Sequence, residues 1–251
     1  MVIVITGILL VVVAVFIVPA TTAYLDSSAR AQLADEADTA LRRIGRDVAI
    51  ALPNSTRITG AGSALELIPT TSAARYATGG ANPLLFGTVD ASFSVVGPPL
   101  TLVTGQQALV FYNLGPGNDP ADAYTQANLR LAGNGAGDAS VVNLIGGVAL
   151  PVALDAPPHR VYAVRQPVSY HCDLGAATLT RYWNYGFQAA QPNPPGGSNR
   201  AVLATGVTDC LFSYDPAVVA GRAALLTLRL GLSRNGETVT LHHALHVENL
   251  P

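Results

Sequence analysis

The sequence contains no lysine: all 14 basic residues are arginine. This excludes enzymes that use a Schiff-base lysine, a phosphate-loop lysine or a Ser-Lys dyad. The arginines are spread from Arg30 to Arg234 without a tight cluster, and the formal net charge is only -2. The chain therefore lacks the basic patch typical of nucleic-acid-binding proteins, and we expect no nucleic-acid partner.

Cysteine is also scarce, with only Cys172 and Cys210 in 251 residues. Two cysteines are too few for a four-thiolate zinc site and enough for one disulfide. In an oxidising compartment a disulfide is favoured, whereas in the cytosol two buried free thiols are favoured. The choice between them depends on where the N-terminal segment directs the chain.

The N-terminal segment is a long apolar run. The sequence MVIVITGILLVVVAVFIVPA has no charged residue, and the first charge is Asp26. About 18 apolar residues in a helix cover roughly 27 Å, close to the thickness of a bilayer's hydrocarbon core. Two alternatives are a cleaved signal peptide ending near Thr21-Thr22-Ala23 and a buried core helix. The signal peptide is disfavoured because no basic residues precede the run and because the run is longer than the apolar core of a usual signal peptide. We therefore predict that residues 1–25 form the transmembrane half of a helix.

The helical pattern continues over residues 26–52, where we predict an amphipathic half. Apolar residues recur every three or four positions and form one stripe. The members of this stripe are Leu33, Ala37, Leu41, Ile44, Val48 and Leu52. Charged residues, Asp47 among them, are assigned to a solvated face, and Asp38 and Arg42 are spaced as an i, i+4 pair. Pro19 is expected to kink the helix, and Pro53 to end it.

Residues 53–251 have the composition of a single β-rich domain, with frequent Gly and Pro between short β-branched and aromatic runs. The Asn235-Gly236 pair joins the two clearest strands and predicts a tight hairpin. Predicted strands cover 64–68, 92–96, 108–113, 161–165, 168–172, 178–183, 211–214, 224–233 and 238–247. The predicted fold class is α+β, with a long N-terminal spine helix, transmembrane and then amphipathic, packed on an antiparallel β-sheet.

Few motifs in the chain indicate chemistry. The glycines of residues 133–137 do not have the spacing of a dinucleotide-binding loop, and no helical pattern follows them. His242 and His246 would share a helix face, but the surrounding alternation predicts a strand, in which they lie roughly 13 Å apart. We therefore predict no metal site at His242, His243 and His246, no cofactor and no catalytic residues, so the protein is not expected to be an enzyme.

Several segments resemble those of a known family. They are the apolar start at positions 1–9, the proline of the apolar run, Ala37 to Asp47, and the C-terminal segments 168–170, 179–182 and 203–214. Together they resemble minor pilins and the J-type pseudopilins of type II secretion, and most closely MshO-type proteins of the mannose-sensitive haemagglutinin (MSHA) pilus. The resemblance covers both ends of the chain and is poor from about Ser72 to Asp155.

The resemblance implies a pilin-like fold and a structural minor pilin for type IV, MSHA-type pilus biogenesis. Its implied partners are membrane lipid, other pilin subunits bound through the N-terminal helix, and the pilus assembly platform. Its implied location is the bacterial inner membrane, as a single-pass protein with a periplasmic C-terminal domain that is later incorporated into a pilus. Alternatives are a type II secretion pseudopilin and a single-pass anchored binding or hydrolytic domain.

Two expectations follow from this placement. A chain that leaves the cytosol should join Cys172 to Cys210 in a disulfide. The family's basic leader, cleavage-site glycine and Phe-Thr-Leu-Ile-Glu start do not precede Met1 here, and we expect the reading frame to continue upstream into them. In-frame DNA upstream of Met1 checks this directly, since an immediate stop codon would contradict it.

Overall fold

A computed structural model describes residues 2–103, 108–219 and 223–249. The protein is mostly β, with 43% strand and 21% helix. The helical part comprises α1 (Val2–Val12), a π-helical turn (Val13–Ile17) and α2 (Val18–Ala49). Short 3-10 turns follow at Gly60–Gly62 and Val152–Leu154.

Sixteen strands lie in the described part of the chain. They are β1 Arg57–Thr59, β2 Ala64–Leu67, β3 Thr70–Tyr76, β4 Ser92–Val96, β5 Leu100–Leu102, β6 Ala108–Phe111, β7 Leu129–Ala132, β8 Gly137–Ala139, β9 Val141–Ile145, β10 Arg160–Val164, β11 Val168–Asp173, β12 Thr178–Trp183, β13 Asn199–Thr205, β14 Val207–Val219, β15 Ala223–Arg234 and β16 Glu237–Glu248.

The strands form four hydrogen-bonded groups. A five-stranded sheet has the order β1-β2-β11-β12-β13, and a three-stranded sheet has the order β14-β15-β16. The central part of the chain closes into a six-stranded barrel, β10-β3-β4-β9-β7-β6, and β5 pairs with β8. All pairings between these strands are antiparallel, including those between strands far apart in sequence, such as β2 with β11.

The β15–β16 hairpin follows directly from its turn residues. Asn235 and Gly236 both have positive φ, 54° and 85°, as a type I′ turn requires. Arg234 pairs with Glu237 across the turn, and the register continues without a bulge to Ala223 and Glu248.

The helix packs on the protein through one face of α2. Leu33, Ala37, Leu41, Ile44 and Val48 are all buried, in a core that also contains leucines of β15 and residues of β2, β11 and β12. The last member of the stripe, Leu52, lies beyond the end of α2 in a smaller cluster against the barrel. The stripe therefore holds the C-terminal half of α2 against the two open sheets.

The barrel has a core of its own. Phe93 and Phe111 are fully buried, and their ring centroids are 5.8 Å apart in an edge-to-face arrangement. Tyr76 contacts both rings at 6.4 and 6.1 Å. Aromatic pairs of this geometry add to the stability that apolar burial provides.

The predicted fold class is wrong. Strand is twice as abundant as helix, at 43% against 21%. A closed barrel also occupies the centre of the chain, where an α+β, pilin-like fold with a long transmembrane-then-amphipathic spine helix packed on an antiparallel sheet was expected. The π-helical turn divides the predicted spine and leaves α1 with 11 residues. None of the described helices combines the length and apolar character needed to cross a membrane.

We predict that Ile44→Ala lowers the free energy of unfolding by about 2–5 kcal/mol, because it leaves a cavity in the core beneath α2. Ile3→Ala provides the matched control, since Ile3 is 86% exposed while Ile44 is 0% exposed. Denaturant unfolding followed by near-ultraviolet circular dichroism measures both. Equal effects of the two substitutions would show that α2 is not part of the cooperative core.

Candidate functional site: the exposed N-terminal helix and its anchor

The most unusual surface of the protein is the start of its helix. Every described side chain from residue 2 to residue 16 is exposed, and nearly all are apolar. The large members are Val2, Ile3, Val4, Ile5, Ile8, Leu9, Leu10, Val11, Val12, Val13, Val15 and Phe16. We call this set the apolar helix surface. Monomeric soluble proteins rarely expose a continuous apolar area of this size, which marks an interaction site.

The contacts that fix the helix to the domain begin well after this surface. Among the side chains that the structure describes, the first ion pair to the domain joins Arg30 to Glu237, and the first buried apolar side chain is Leu33. The 28 residues from 2 to 29 would extend about 42 Å at the rise of an α-helix. The apolar helix surface therefore lies at the far end of an extended helix.

The predicted kink residue lies close to the irregular part of the helix. Pro19 has no backbone N–H to donate to the carbonyl of Val15, four residues earlier. The π-helical turn at Val13–Ile17 directly precedes this position. Such turns accommodate a missing hydrogen bond without ending a helix.

A buried polar cluster holds the other end of α2. The Tyr170 hydroxyl and Arg181 Nε both donate to Asp47 Oδ2, at 2.6 and 2.8 Å, and Arg43 lies 3.6 Å from Asp47 Oδ1. Burial and the Asp47 carboxylate raise the pKa of Tyr170, so the hydroxyl stays protonated and donates. We call these four residues the Asp47 cluster. It fixes α2 against β11 and β12.

A second polar contact fixes the middle of α2. Glu36 accepts hydrogen bonds from the Thr205 backbone N–H and from Arg234, each at 2.8 Å. Burial alone would raise the pKa of Glu36, but these hydrogen bonds outweigh it and lower that pKa below its ordinary value. Glu36 is therefore ionised at neutral pH and ties α2 to the ends of β13 and β15.

The two cysteines link the sheets that the helix covers. Cys172 on β11 and Cys210 on β14 form a disulfide, with Cα atoms 6.2 Å apart. The bond joins the five-stranded sheet to the three-stranded sheet, beside the core under α2. In the chain-entropy account, closing a loop of this length contributes about 4 kcal/mol.

No family model, curated protein or solved structure matches this chain.

The three histidines considered as metal ligands lie on β16. His242 and His246 are exposed on one face of the strand, and His243 lies on the opposite face beside α2. Within the described ranges, no three His, Cys, Asp or Glu side chains come together as a metal site would require. Of the glycines in residues 133–137, Gly133 and Gly135 lie between β7 and β8, and Gly137 is the first residue of β8.

The helical pattern assigns Asp47 to the wrong face of α2 and does not indicate its partners on β11 and β12. Asp47 is 6% exposed, not part of a solvated face. The available signal was its position three residues after Ile44 and next to Val48, which puts it at the edge of the apolar stripe. Its partners Tyr170 and Arg181 could not be found from sequence, because they are 123 and 134 residues away.

We predict that Asp47→Asn lowers the free energy of unfolding by about 3 kcal/mol, because it leaves the mostly buried Arg181 without its anionic partner. Asp38→Asn on the same helix is the control. It removes a carboxylate paired at 2.7 Å with Arg42, whose side chain is 73% exposed, and should cost about 0.5 kcal/mol or less.

Denaturant titration of the two variants under identical conditions gives both values. Similar losses in the two variants would mean that the Asp47 cluster does not fix the helix.

Proposed function

We propose that this protein is a structural minor pilin in type IV, MSHA-type pilus biogenesis, which joins other pilin subunits through its apolar helix surface. The observation that carries this proposal is the combination of an exposed apolar helical segment with a firmly anchored continuation of the same helix. The segments that resemble minor pilins support the same assignment.

Two parts of the helix differ in a way that fits an assembly subunit: residues 2–16 are exposed and apolar, and the later part of α2 is anchored in the domain. Burying the side chains of residues 2–16 against other helices removes apolar area from water, which is worth roughly 25 cal/mol per Å². The anchored part of α2 transmits that attachment to the domain through Leu33, Ile44 and the Asp47 cluster. A subunit held in this way presents its β domain at a fixed position on the filament.

The disulfide supports an extracytoplasmic position for the β domain. Disulfides persist in oxidising compartments such as the bacterial periplasm and are rare in the cytosol. A domain that lies in the periplasm, next to the inner membrane and the pilus assembly platform, is consistent with the Cys172–Cys210 bond. Such a role requires no cofactor and no catalysis.

We predict that Leu9→Asp prevents incorporation into pili and leaves the β domain folded, because residue 9 is exposed far from the domain core. Leu174→Asp is the matched control: Leu9 is 58% and Leu174 57% exposed, but Leu174 lies in the turn between β11 and β12. Immunoblots of sheared pili should contain the Leu174 variant and lack the Leu9 variant, with thermal midpoints of both close to that of the parent.

Normal incorporation of the Leu9 variant would contradict the assembly role of the apolar helix surface. Incorporation into a secretion pseudopilus instead of an MSHA-type pilus would reassign the protein to the type II secretion system.

A further inference from the structure

A polar cleft of about 390 Å³ lies beside the anchored end of α2. Its walls come from the last turn of α2, the segment between β10 and β11, and the end of β12. The side chains that matter for its chemistry are Arg43, Asp47, Arg165, Gln166, Arg181 and Trp183. We call it the Arg165 cleft.

The charge in this cleft is strongly positive. Three guanidinium groups and one carboxylate line it, in a chain whose formal net charge is -2. Asp47 is already occupied by the Arg181 guanidinium and the Tyr170 hydroxyl. Arg43 reaches Asp47 only at 3.6 Å, and its side chain is 38% exposed. Two of the three positive charges are therefore poorly compensated.

Arg165 is the least compensated of the three. Its backbone N–H donates to Pro69, at 2.8 Å, but its guanidinium has no hydrogen bond or ion pair with any described residue. The side chain is exposed at the mouth of the cleft. A planar guanidinium with free donors matches the two oxygens of a carboxylate.

Gln166 supplies a neutral donor next to it. The backbone N–H of Gly186 donates to the Gln166 side-chain oxygen at 3.1 Å, which fixes the orientation of the amide. The oxygen is occupied, so the amide nitrogen is the end left to bind a ligand. Gln166 thus adds a donor to the cleft beside Arg165.

Trp183 forms the aromatic part of the wall. It is partly exposed, and the Arg181 guanidinium lies 5.1 Å from its ring centroid. An aromatic ring beside several polar donors can cover the C–H face of a sugar while the donors bind its oxygens. The volume lies at the small end of ligand pockets, which suits one monosaccharide.

We propose that the Arg165 cleft binds an acidic sugar, a hexuronic acid whose carboxylate pairs with Arg165 and Arg43 and whose ring packs beside Trp183. A singly charged carboxylate fits better than a doubly charged phosphate, because Asp47 lies in the same wall and repels additional negative charge. This binding activity goes beyond the structural role and does not depend on it.

The single tryptophan of the chain is Trp183, so its fluorescence reports on this cleft alone. The full chain in detergent is titrated with D-glucuronate, D-glucose, acetate and phosphate, and ligand-observed NMR gives a second readout. We expect saturable binding of glucuronate, and at least about tenfold weaker binding of glucose, acetate and phosphate, since each lacks one part of the recognised group or carries excess charge.

Arg165→Gln should weaken glucuronate binding about tenfold, because it removes the guanidinium that pairs with the carboxylate. Since Arg165 is exposed, we expect the variant to fold as the parent does. Arg200→Gln is the matched control, because Arg200 is exposed on β13 and pairs with Tyr182, which puts it on the opposite face of the sheet from Arg181 and Trp183. That variant should bind as the parent does.

Absence of saturation by glucuronate in both readouts would overturn the proposal. If acetate or glucose bound as tightly as glucuronate, the cleft would not be specific for an acidic sugar. If phosphate bound more tightly than glucuronate, the cleft would not be specific for a carboxylate. Unchanged affinity of the Arg165 variant would place the ligand elsewhere.

Discussion

The structure depends above all on the burial of one face of α2 against two open sheets. Leu33, Ala37, Leu41, Ile44 and Val48 are all within 4% of full burial. Without this face, the three-stranded sheet would expose the leucines of β15, and the five-stranded sheet would expose its inner side. The helix is therefore the common core element of both sheets, and the disulfide adds a covalent link between them.

Local signals predicted the parts of the fold that depend on neighbours in sequence. Asn235-Gly236 predicted the β15–β16 hairpin because the turn type needs positive φ at both positions. Strands such as β11 and β12 were predicted because each carries a clear β-branched or aromatic pattern. The apolar run at the start was read as a membrane span, and the π-helical turn within it was not foreseen.

The barrel was missed for a physical reason. Its strands β7 and β9 have only four and five residues, too few for a clear period of two. Their partners are also distant: β3 pairs with β10, about 90 residues later. Pairing of this kind is decided by packing of Phe93 and Phe111 in the closed barrel and leaves little trace in the local sequence. The same limit hid the Asp47 cluster, whose members come together only when α2 packs on the paired strands β11 and β12.

The Asp47 cluster connects the anchor of the helix with the Arg165 cleft. Asp47 binds Arg181 and Tyr170, which fixes α2. Arg43 contacts Asp47 only at 3.6 Å, and Arg165 lies in the wall of the same cleft. One buried carboxylate thus determines both the position of the helix and the charge of the adjacent surface. The other end of the helix keeps its apolar side chains exposed.

The most direct test of this account is in vivo photo-crosslinking from a benzoyl-phenylalanine placed at Ile5, which is 51% exposed, in cells that assemble pili. The account predicts crosslinked products between this protein and another pilin subunit through the apolar helix surface. Crosslinks confined to the protein's own β domain would contradict it, because they would show that residues 2–16 fold back on the domain and are not available for assembly.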